Sequence, residues 1–304
     1  DPSHEKDYTK LPGLQHKYQQ TGLLLLSDVC GGICRFCFRK RLFVNCERET
    51  VKDVSRGLEY IRTHPEITNV LLTGGDPLIL ETSCLERILK ELREIPHVNI
   101  IRIGSKIPAY NPFRILSDPH LSEVLSRYTT VEKRIYLMAH FNHPNELTTQ
   151  SLQALEQLHR AGVIVVNQTP VLNEVNSSPE TFTTLFRNLS FSGVTPYYVF
   201  QCRPSLGNRL FQVPVEQSYH VIQQAWQACS GLAKRARFVM SHATGKIEVV
   251  GRQAGCVFMR YHQAAEKALI GKFMVMKSNP SAVWFDDYRE IPLETPVPRK
   301  GWLF

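Results

Sequence analysis

Short apolar runs rich in β-branched residues alternate with longer amphipathic segments between residues 22 and 230. The short runs predict six strands, at residues 22–27, 69–73, 99–104, 134–140, 163–169 and 196–201. The longer segments predict six helices, at residues 51–63, 84–94, 119–127, 149–161, 179–190 and 215–230. In the fourth of these helices Leu152, Leu155 and Leu158 fall on one face, and Gly162 marks the end of the pattern.

Six βα units in succession predict an α/β fold in which helices cover a parallel sheet. Because six units are too few for a closed eight-stranded barrel, the pattern is compatible with a partial barrel or an open wound sheet. After residue 233 four short strands follow without long helices between them, at residues 237–240, 246–250, 272–277 and 281–285. We interpret them as antiparallel hairpins. The predicted organisation is an entry segment at 1–21, a partial (β/α)6 barrel at 22–232, and a small C-terminal β cap with an irregular tail at 233–304.

The composition is that of a globular chain with a sizeable core. Hydrophobic residues make up 43% of the 304 residues, which excludes intrinsic disorder, collagen and coiled coil. The longest uninterrupted apolar run covers residues 135–139 and is far too short to cross a membrane. The first residues lack the charged-then-apolar layout of a signal peptide. Because the sequence starts with Asp1 rather than Met, we expect that this is not the natural start.

Three of the eight cysteines crowd into the segment Cys30-Gly-Gly-Ile-Cys34-Arg-Phe-Cys37, directly after the first predicted strand. This is the carboxyl end of that strand, where parallel α/β folds place their sites. Clustered thiols without a secretory context indicate a metal centre in a reducing compartment, so we expect a cytoplasmic enzyme. Three thiolates suit a [4Fe–4S] cluster and leave one iron open. The alternative is a zinc site with Cys46 as the fourth ligand.

The spacing C-x-x-x-C-x-x-C, with Phe36 before the last cysteine, resembles the signature of the radical S-adenosylmethionine (SAM) superfamily. The resemblance implies a TIM-like partial barrel in which Cys30, Cys34 and Cys37 bind a [4Fe–4S] cluster and the open iron chelates SAM. One electron from the cluster would cleave SAM to a 5′-deoxyadenosyl radical. A donor such as flavodoxin or ferredoxin is therefore an expected partner.

Two further segments resemble the SAM-binding parts of the superfamily. Gly74, Gly75 and Asp76 end the second predicted strand, and the resemblance implies that they hold the SAM amino group. Gly104 and Ser105 end the third, and the resemblance places them near the SAM ribose and carboxylate.

Longer segments resemble one family within the superfamily, the lysine 2,3-aminomutases. They lie at residues 12–18, 34–41, 102–108, 140–146, 167–168 and 196–202, and the resemblance covers about residues 1–251. Members move an amino group between adjacent carbons of an amino acid, using pyridoxal 5′-phosphate (PLP) bound to a lysine. They usually carry an additional N-terminal helical region that this sequence does not contain, and the resemblance implies self-association.

The family resemblance assigns further residues of the site. It implies that Lys246 bears PLP, that Arg39 holds the α-carboxylate of the amino acid, and that His140 and Gln168 contact the cofactors. The alternative is that Lys246 is a solvent-exposed lysine of a hairpin with no role in the reaction. An arginine fork suits a carboxylate because it donates two parallel hydrogen bonds.

The substrate pocket departs from that of the lysine enzymes. They have an aspartate where this chain has Arg203, and a second aspartate where it has Ser241 or His242. A guanidinium would repel the distal ammonium of lysine and attract an anion. We therefore expect a non-lysine amino acid with an acidic or other anionic side chain, similar to glutamate-type members of the family.

Two other hypotheses compete with this one. The first is a radical SAM enzyme on the same scaffold without PLP, catalysing epimerisation, dehydrogenation or another modification. Lys246 would then be structural or a proton donor. The second is a nucleic-acid-binding protein, which the net charge of +8 allows. We do not favour it, because the basic residues are dispersed and no nucleic-acid-binding motif is readable.

Overall fold

The computed structural model describes residues 4–44 and 49–292. The strands form one sheet whose spatial order follows the chain order. They are β1 Thr9–Leu11, β2 Leu14–Tyr18, β3 Thr21–Ser27, β4 Asn69–Gly74, β5 Ile100–Ser105, β6 Ile135–Ala139, β7 Ile164–Pro170, β8 Thr195–Phe200, β9 Arg237–Ser241, β10 Gly245–Gln253, β11 Cys256–Ala264 and β12 Phe273–Lys277. The helices in the described part are α1 Arg41–Val44, α2 Ser55–Arg62, α3 Thr82–Arg93, α4 Ile107–Tyr110, α5 Phe113–Leu116, α6 Pro119–Arg127, α7 Thr149–Arg160, α8 Pro179–Phe191 and α9 Val215–Gln227.

The centre of the sheet is parallel and both of its ends are antiparallel. Strands β3 to β9 pair in parallel, one after another. Strands β1 and β2 join β3 as an antiparallel hairpin, and β10 to β12 continue antiparallel from β9. The predicted α/β partial barrel is confirmed, with helices between successive parallel strands.

Strand β9 belongs to both the predicted barrel and the predicted cap. This strand was expected in a separate antiparallel hairpin, but Tyr198 of β8 pairs with Arg237 in parallel register. The strand is thus the seventh parallel strand as well as the first strand of the hairpin with β10. The sequence pattern shows that no long helix follows β9, but it carries no information about the neighbour on the other side.

Two further differences concern the chain ends. The entry segment forms β1 and β2, and β11 was not predicted. Residues 281–285 were expected to be a strand, but they form a loop that leads into a 3₁₀ turn at Phe285–Asp287. The Asp287 carboxylate accepts the backbone N–H groups of Val283 and Trp284 at 2.9 and 3.0 Å, so these donors are not left for a strand partner. The predicted irregular tail lies almost entirely outside the described residues.

Two apolar clusters hold the fold together. The first fills the space between β3 to β7 and the helices α2, α3, α6 and α7, with Leu24, Leu72 and Ile101 fully buried. The second joins α8 and α9 to β9 through β12, and it includes Trp284 and Tyr288. The cap therefore shares its core with the last barrel helices. In α7 the inward face is Ala154, Leu155 and Leu158, whereas Leu152 is 41% exposed, contrary to expectation.

The two ends of the sheet approach each other across a seam. Tyr8 Oη donates to the carbonyl oxygen of Ala243 at 2.8 Å, and Lys17 Nζ donates to that of His242 at 2.6 Å. Among the described residues, no backbone ladder joins β1 to β12. The curled sheet is thus a barrel closed on one side by side chains. No helix of the described part is long and apolar enough to cross a bilayer.

Candidate active site

One cavity of about 350 Å³ opens at the carboxyl ends of the parallel strands. Every residue predicted for the site lines it: Cys30, Cys34, Cys37, Arg39, Gly74, Gly75, Asp76, Gly104, Ser105, His140, Gln168, Arg203, Ser241 and Lys246. Parallel strands bring their carboxyl ends together at one edge of a sheet, which is why residues far apart in sequence meet here. The individual roles of these residues remain predictions.

The three clustered cysteines lie on the loop after β3. The backbone N–H of Cys37 donates to the carbonyl oxygen of Cys34 at 2.9 Å, so the loop turns tightly between them. All three thiols are free, and Cys34 Sγ lies 3.3 Å from Tyr110 Oη. Burial, followed by the nearby Asp76 carboxylate, raises the pKa of Cys30 to about 12. This raised pKa favours the protonated thiol, whereas a bound metal centre would favour the thiolate.

The arrangement of these thiols fits a cluster better than a single ion. A zinc ion needs its sulfur ligands at about 2.3 Å from one point. In the described residues no three His, Cys, Asp or Glu side chains converge closely enough to hold one ion. In an iron–sulfur cluster each thiolate binds a different iron, so its ligands need not converge on one point. Cys46, the proposed fourth zinc ligand, lies outside the described residues.

The glycines after β4 allow close contact with the loop that leads into Cys30. A Cβ atom on Gly75 would lie 2.2 Å from the carbonyl oxygen of Val29, and Gly74 has φ +119°. Only glycine fits this approach. Asp76 then binds two loops together, since its oxygens accept the backbone N–H groups of Leu78 at 3.0 Å and Lys106 at 2.8 Å. The Ser105 hydroxyl and the backbone N–H of Ile107 also interact with this carboxylate, and binding of the SAM ammonium remains a prediction.

His140 follows β6 on the same rim. Burial, together with the Lys106 and Arg39 cations, lowers its pKa to about 4. The imidazole is therefore neutral near pH 7. Lys106 itself is held by Glu146, at 2.8 Å, and by the carbonyl oxygen of His140, at 2.7 Å. Ser105 caps the next helical turn by accepting the backbone N–H of Ile107 at 3.0 Å.

Arg39 is fixed by two partners at the cavity wall. Its Nη2 donates to Glu5 Oε1 at 2.9 Å and its Nη1 to Thr73 Oγ1 at 3.0 Å. Glu5 also accepts Arg41 Nη2 at 2.6 Å. Burial would raise the pKa of Glu5, but Arg39, Arg203 and Arg41 lower it to about 2. No sequence motif indicates that Glu5 belongs to the site, because its partners lie 34 and 36 residues further along the chain.

Lys246 lies on β10 beside two tyrosines. Its Nζ is 4.7 Å from the ring centre of Tyr198 and 5.7 Å from that of Tyr18. It donates to Gln263 Oε1 at 3.5 Å. Burial lowers the pKa of Lys246 most strongly. The cations Arg102, Arg203 and Lys17 lower it further, to about 7. A substantial fraction of this amine is neutral at physiological pH, and neutral amines are the nucleophiles that attack carbonyl compounds.

The low pKa of Lys246 predicts its pH-dependent reactivity. Reductive methylation of the cofactor-free protein should reach half its maximal rate at Lys246 near pH 7 and fall as the pH is lowered. Free lysine amines titrate near 10.4. Mass spectrometry of the peptide that contains Lys246, after brief labelling between pH 5 and 9, measures this rate. A rate that still rises tenfold per pH unit above pH 8 would contradict the prediction.

Arg203 presents a buried guanidinium to the cavity. It lies 3.5 Å from the ring centre of Phe38, and its Nη1 is buried without a hydrogen-bond partner. Burial lowers its pKa to about 10, so it stays charged at neutral pH. A buried cationic donor without a partner is costly, which makes this position suited to an incoming anion.

The structure distinguishes the two candidates for the second pocket position. Ser241 lines the cavity. His242 is buried outside it, where Nε2 lies 3.1 Å from the Asp286 carboxylate and Nδ1 lies 2.8 Å from Thr244 Oγ1. Asp286 lies in the 3₁₀ turn at Phe285–Asp287, and its side chain remains 67% exposed. Of the two candidates, Ser241 is therefore the one that lines the cavity.

Comparison with known proteins identifies the family. Residues 24–185 match the model of the radical SAM superfamily. The chain is 56% identical over 295 residues to the "Putative L-lysine 2,3-aminomutase" of Aquifex aeolicus, covering 97% of this chain and 79% of that protein. The chain belongs to the lysine 2,3-aminomutase family. This family member is therefore a radical SAM isomerase, and its class uses a [4Fe–4S] cluster and SAM, while lysine 2,3-aminomutases depend on PLP.

More distant members agree with this assignment. The family member is 39% identical to the L-lysine 2,3-aminomutase of Fusobacterium nucleatum, covering 77% of this chain and 54% of that one. It is 40% identical to the enzyme of Clostridium subterminale, covering 73% and 52%. The matched region thus spans about half the length of these two relatives.

Solved structures support the fold alone. SuiB of Streptococcus suis bound to S-adenosylmethionine aligns with a TM-score of 0.51 and 13% identity, covering 74% of this family member and 51% of SuiB. A radical SAM methyltransferase from Sphaerobacter thermophilus aligns with a TM-score of 0.50 and 16% identity, covering 74% and 68%.

Proposed function

We propose that this chain is a PLP-dependent amino acid 2,3-aminomutase whose substrate carries an anionic side chain. The observation that carries the proposal is one cavity shared by three groups: the clustered cysteines, the Lys246 amine and the Arg203 guanidinium, whose Nη1 has no hydrogen-bond partner. The lysine enzymes are expected to have an aspartate at the position of Arg203. The change of sign there argues for a change of substrate charge.

The residues at the base of the cavity fit PLP. Lys246 supplies an amine with a low pKa, and Lys17 supplies a cation at the seam for a phosphate. Tyr18 and Ser241 line the same part of the cavity and offer hydroxyl groups. When bound, PLP supplies a conjugated ring system that assists nitrogen migration. Thr21 also lines the cavity. The family resemblance implies a second basic residue for the phosphate at this position, and its absence favours the alternative enzyme without PLP.

The remaining residues would orient the substrate. Arg39 holds the α-carboxylate and Arg203 holds the side-chain anion, and both lie over the ring of Phe38, at 4.8 and 3.5 Å from its centre. Both guanidinium groups thus lie close to one aromatic ring, near enough to each other to bind two anionic groups of one small molecule. Phe36 and Phe200 add apolar surface, which excludes water and strengthens the ion pairs.

Reduction of the cluster requires a one-electron donor for each SAM that is cleaved. We propose that a flavodoxin- or ferredoxin-type protein supplies this electron. Self-association stays a prediction from the family resemblance, and a cytoplasmic location stays a prediction from the clustered thiols.

Anaerobic reconstitution tests the proposed function. Iron, sulfide, SAM and PLP would be added to the purified chain, and the twenty amino acids would be screened for 5′-deoxyadenosine and for β-amino acid products. We expect product from glutamate or another acidic amino acid. Turnover of lysine alone would contradict the substrate assignment. An active enzyme that binds no PLP would contradict the aminomutase assignment and favour the alternative.

Arg203→Asp is expected to raise KM for the acidic substrate by roughly 30-fold or more, because loss of a buried charge pair costs about 2 kcal/mol or more. The added carboxylate should repel the substrate anion and favour a cationic side chain. Steady-state kinetics with acidic amino acids and with lysine measure this exchange.

A matched control for this variant is Arg209→Asp, which makes the same charge change on an exposed residue outside the cavity. It should leave KM unchanged. Unchanged turnover of every acidic candidate in Arg203→Asp would contradict the assignment of Arg203.

A further inference from the structure

Glu5 is a buried carboxylate in the active-site cavity that the proposed reaction does not use. It is 9% exposed and lies just before β1, so the N-terminal segment brings it to the wall next to the cysteine loop. A carboxylate at this place could compete with the substrate for Arg39, or it could orient Arg39 for the substrate. The contacts of Arg39 distinguish these two roles.

Glu5 occupies one edge of the Arg39 guanidinium. Nη2 donates to Oε1 at 2.9 Å and Nε lies 3.4 Å from Oε2, so the carboxylate lies along the edge formed by these two nitrogens. Thr73 Oγ1 takes one hydrogen of Nη1 at 3.0 Å. A guanidinium has five N–H groups. One N–H therefore remains on each terminal nitrogen, so Arg39 keeps two donors for a further acceptor.

The local charges leave room for a substrate anion. Arg39, Arg41 and Arg203 all act electrostatically on Glu5. Arg41 is also paired with Glu49, at 2.8 Å, on the side away from the cavity. These guanidinium groups outnumber the carboxylates Glu5 and Glu49, and Lys17 adds a further positive charge near Glu5. The wall therefore stays positive with Glu5 in place, so Glu5 need not leave for a substrate anion to bind.

We propose that Glu5 is a positioning residue that holds Arg39 in the orientation in which its free edge receives the α-carboxylate of the substrate. The inference rests on the proposed amino acid substrate. The N-terminal segment would then take part in substrate recognition, although it lies outside the cysteine motif and the Lys246 segment. Because the α-carboxylate is common to all amino acids, Glu5 should affect affinity for each of them and leave the preference among side chains unchanged.

The matched pair Glu5→Gln and Glu49→Gln tests this assignment. Both variants remove one carboxylate charge from the same arginine network, but only Glu5 contacts Arg39. For the reconstituted enzyme we expect Glu5→Gln to raise KM at least tenfold for every amino acid that is turned over, with kcat changed less than threefold. Glu49→Gln should leave both constants within twofold. The cluster content of the two variants should be equal.

Several outcomes would overturn the proposal. A lower KM in Glu5→Gln would show that Glu5 competes with the substrate, and equal effects of the two variants would show a general effect of charge. If Glu5→Gln does not fold, Thr73→Val removes the other anchor of Arg39 without changing charge, and an unchanged KM in it would also refute the proposal. Calorimetric titration with amino acids measures binding without turnover, so failure of the aminomutase assignment leaves this test intact.

Discussion

Lys246→Ala is expected to reduce formation of the β-amino acid product by at least about a thousandfold, because the variant has no amine that can hold PLP. The purified variant should also lack the absorbance of lysine-bound PLP. Cluster content and the slow cleavage of SAM driven by a chemical reductant should persist, since Lys246 lies on β10 and not on the cysteine loop. Product analysis by chromatography, together with the absorbance spectrum and iron content, measures all three properties.

The control for this variant is Lys277→Ala, which removes an exposed lysine from β12, outside the cavity. It should match the unmodified chain in product formation and in absorbance. Product formation by Lys246→Ala at more than about a tenth of the original rate would show that the lysine is structural.

Cys34→Ala is expected to abolish SAM cleavage, with at least about a thousandfold less 5′-deoxyadenosine, because the cluster loses one of its three thiolate ligands. Without a cluster no electron reaches SAM, so product formation should disappear as well. Iron and sulfide analysis and the visible absorbance of the reconstituted protein measure cluster content.

Cys84→Ala is the matched control, because Cys84 is a partly buried free cysteine on α3 that does not line the cavity. It should bind iron like the unmodified chain. Lysine-bound PLP should survive in Cys34→Ala, so the two cofactors are expected to be lost independently. Equal iron content in both cysteine variants would contradict the ligand assignment.

The parallel part of the fold could be predicted because its signals are local. Each strand from β3 to β8 is a short apolar run followed by a helical segment, and α6 and α7 begin where the periodicity places them. Asp118 and Thr148 cap these two helices by accepting the backbone N–H groups of Leu121 and Ser151. Such side chains are recognisable in the sequence because capping joins residues only three positions apart.

The site could be predicted where a motif fixes it and not where distant segments meet. The spacing of Cys30, Cys34 and Cys37 identifies the cluster loop from adjacent residues alone. Glu5, in contrast, acquires its role only when the entry segment lies beside Arg39. Lys17 likewise reaches the turn before Lys246 across 225 positions of the chain. No periodicity encodes these contacts, because they depend on how the sheet curls.

The neighbours of the C-terminal strands could not be predicted from the sequence, for a different reason. A strand such as β9 belongs to two neighbours, and its pattern is the same whether the second neighbour is parallel or antiparallel. The choice depends on where α9 returns the chain, and this is a property of the packed core around Tyr219 and Phe238.

The seam between the two ends of the sheet is the part of the described cavity wall that no backbone ladder crosses. It is crossed by the hydrogen bonds from Tyr8 and Lys17 and by the contact of Lys246 with the Tyr18 ring. Elsewhere around the cavity, parting the wall would break a continuous strand ladder. We therefore expect local opening of the cavity wall to begin at this seam, because it would break side-chain contacts while every strand keeps its neighbour.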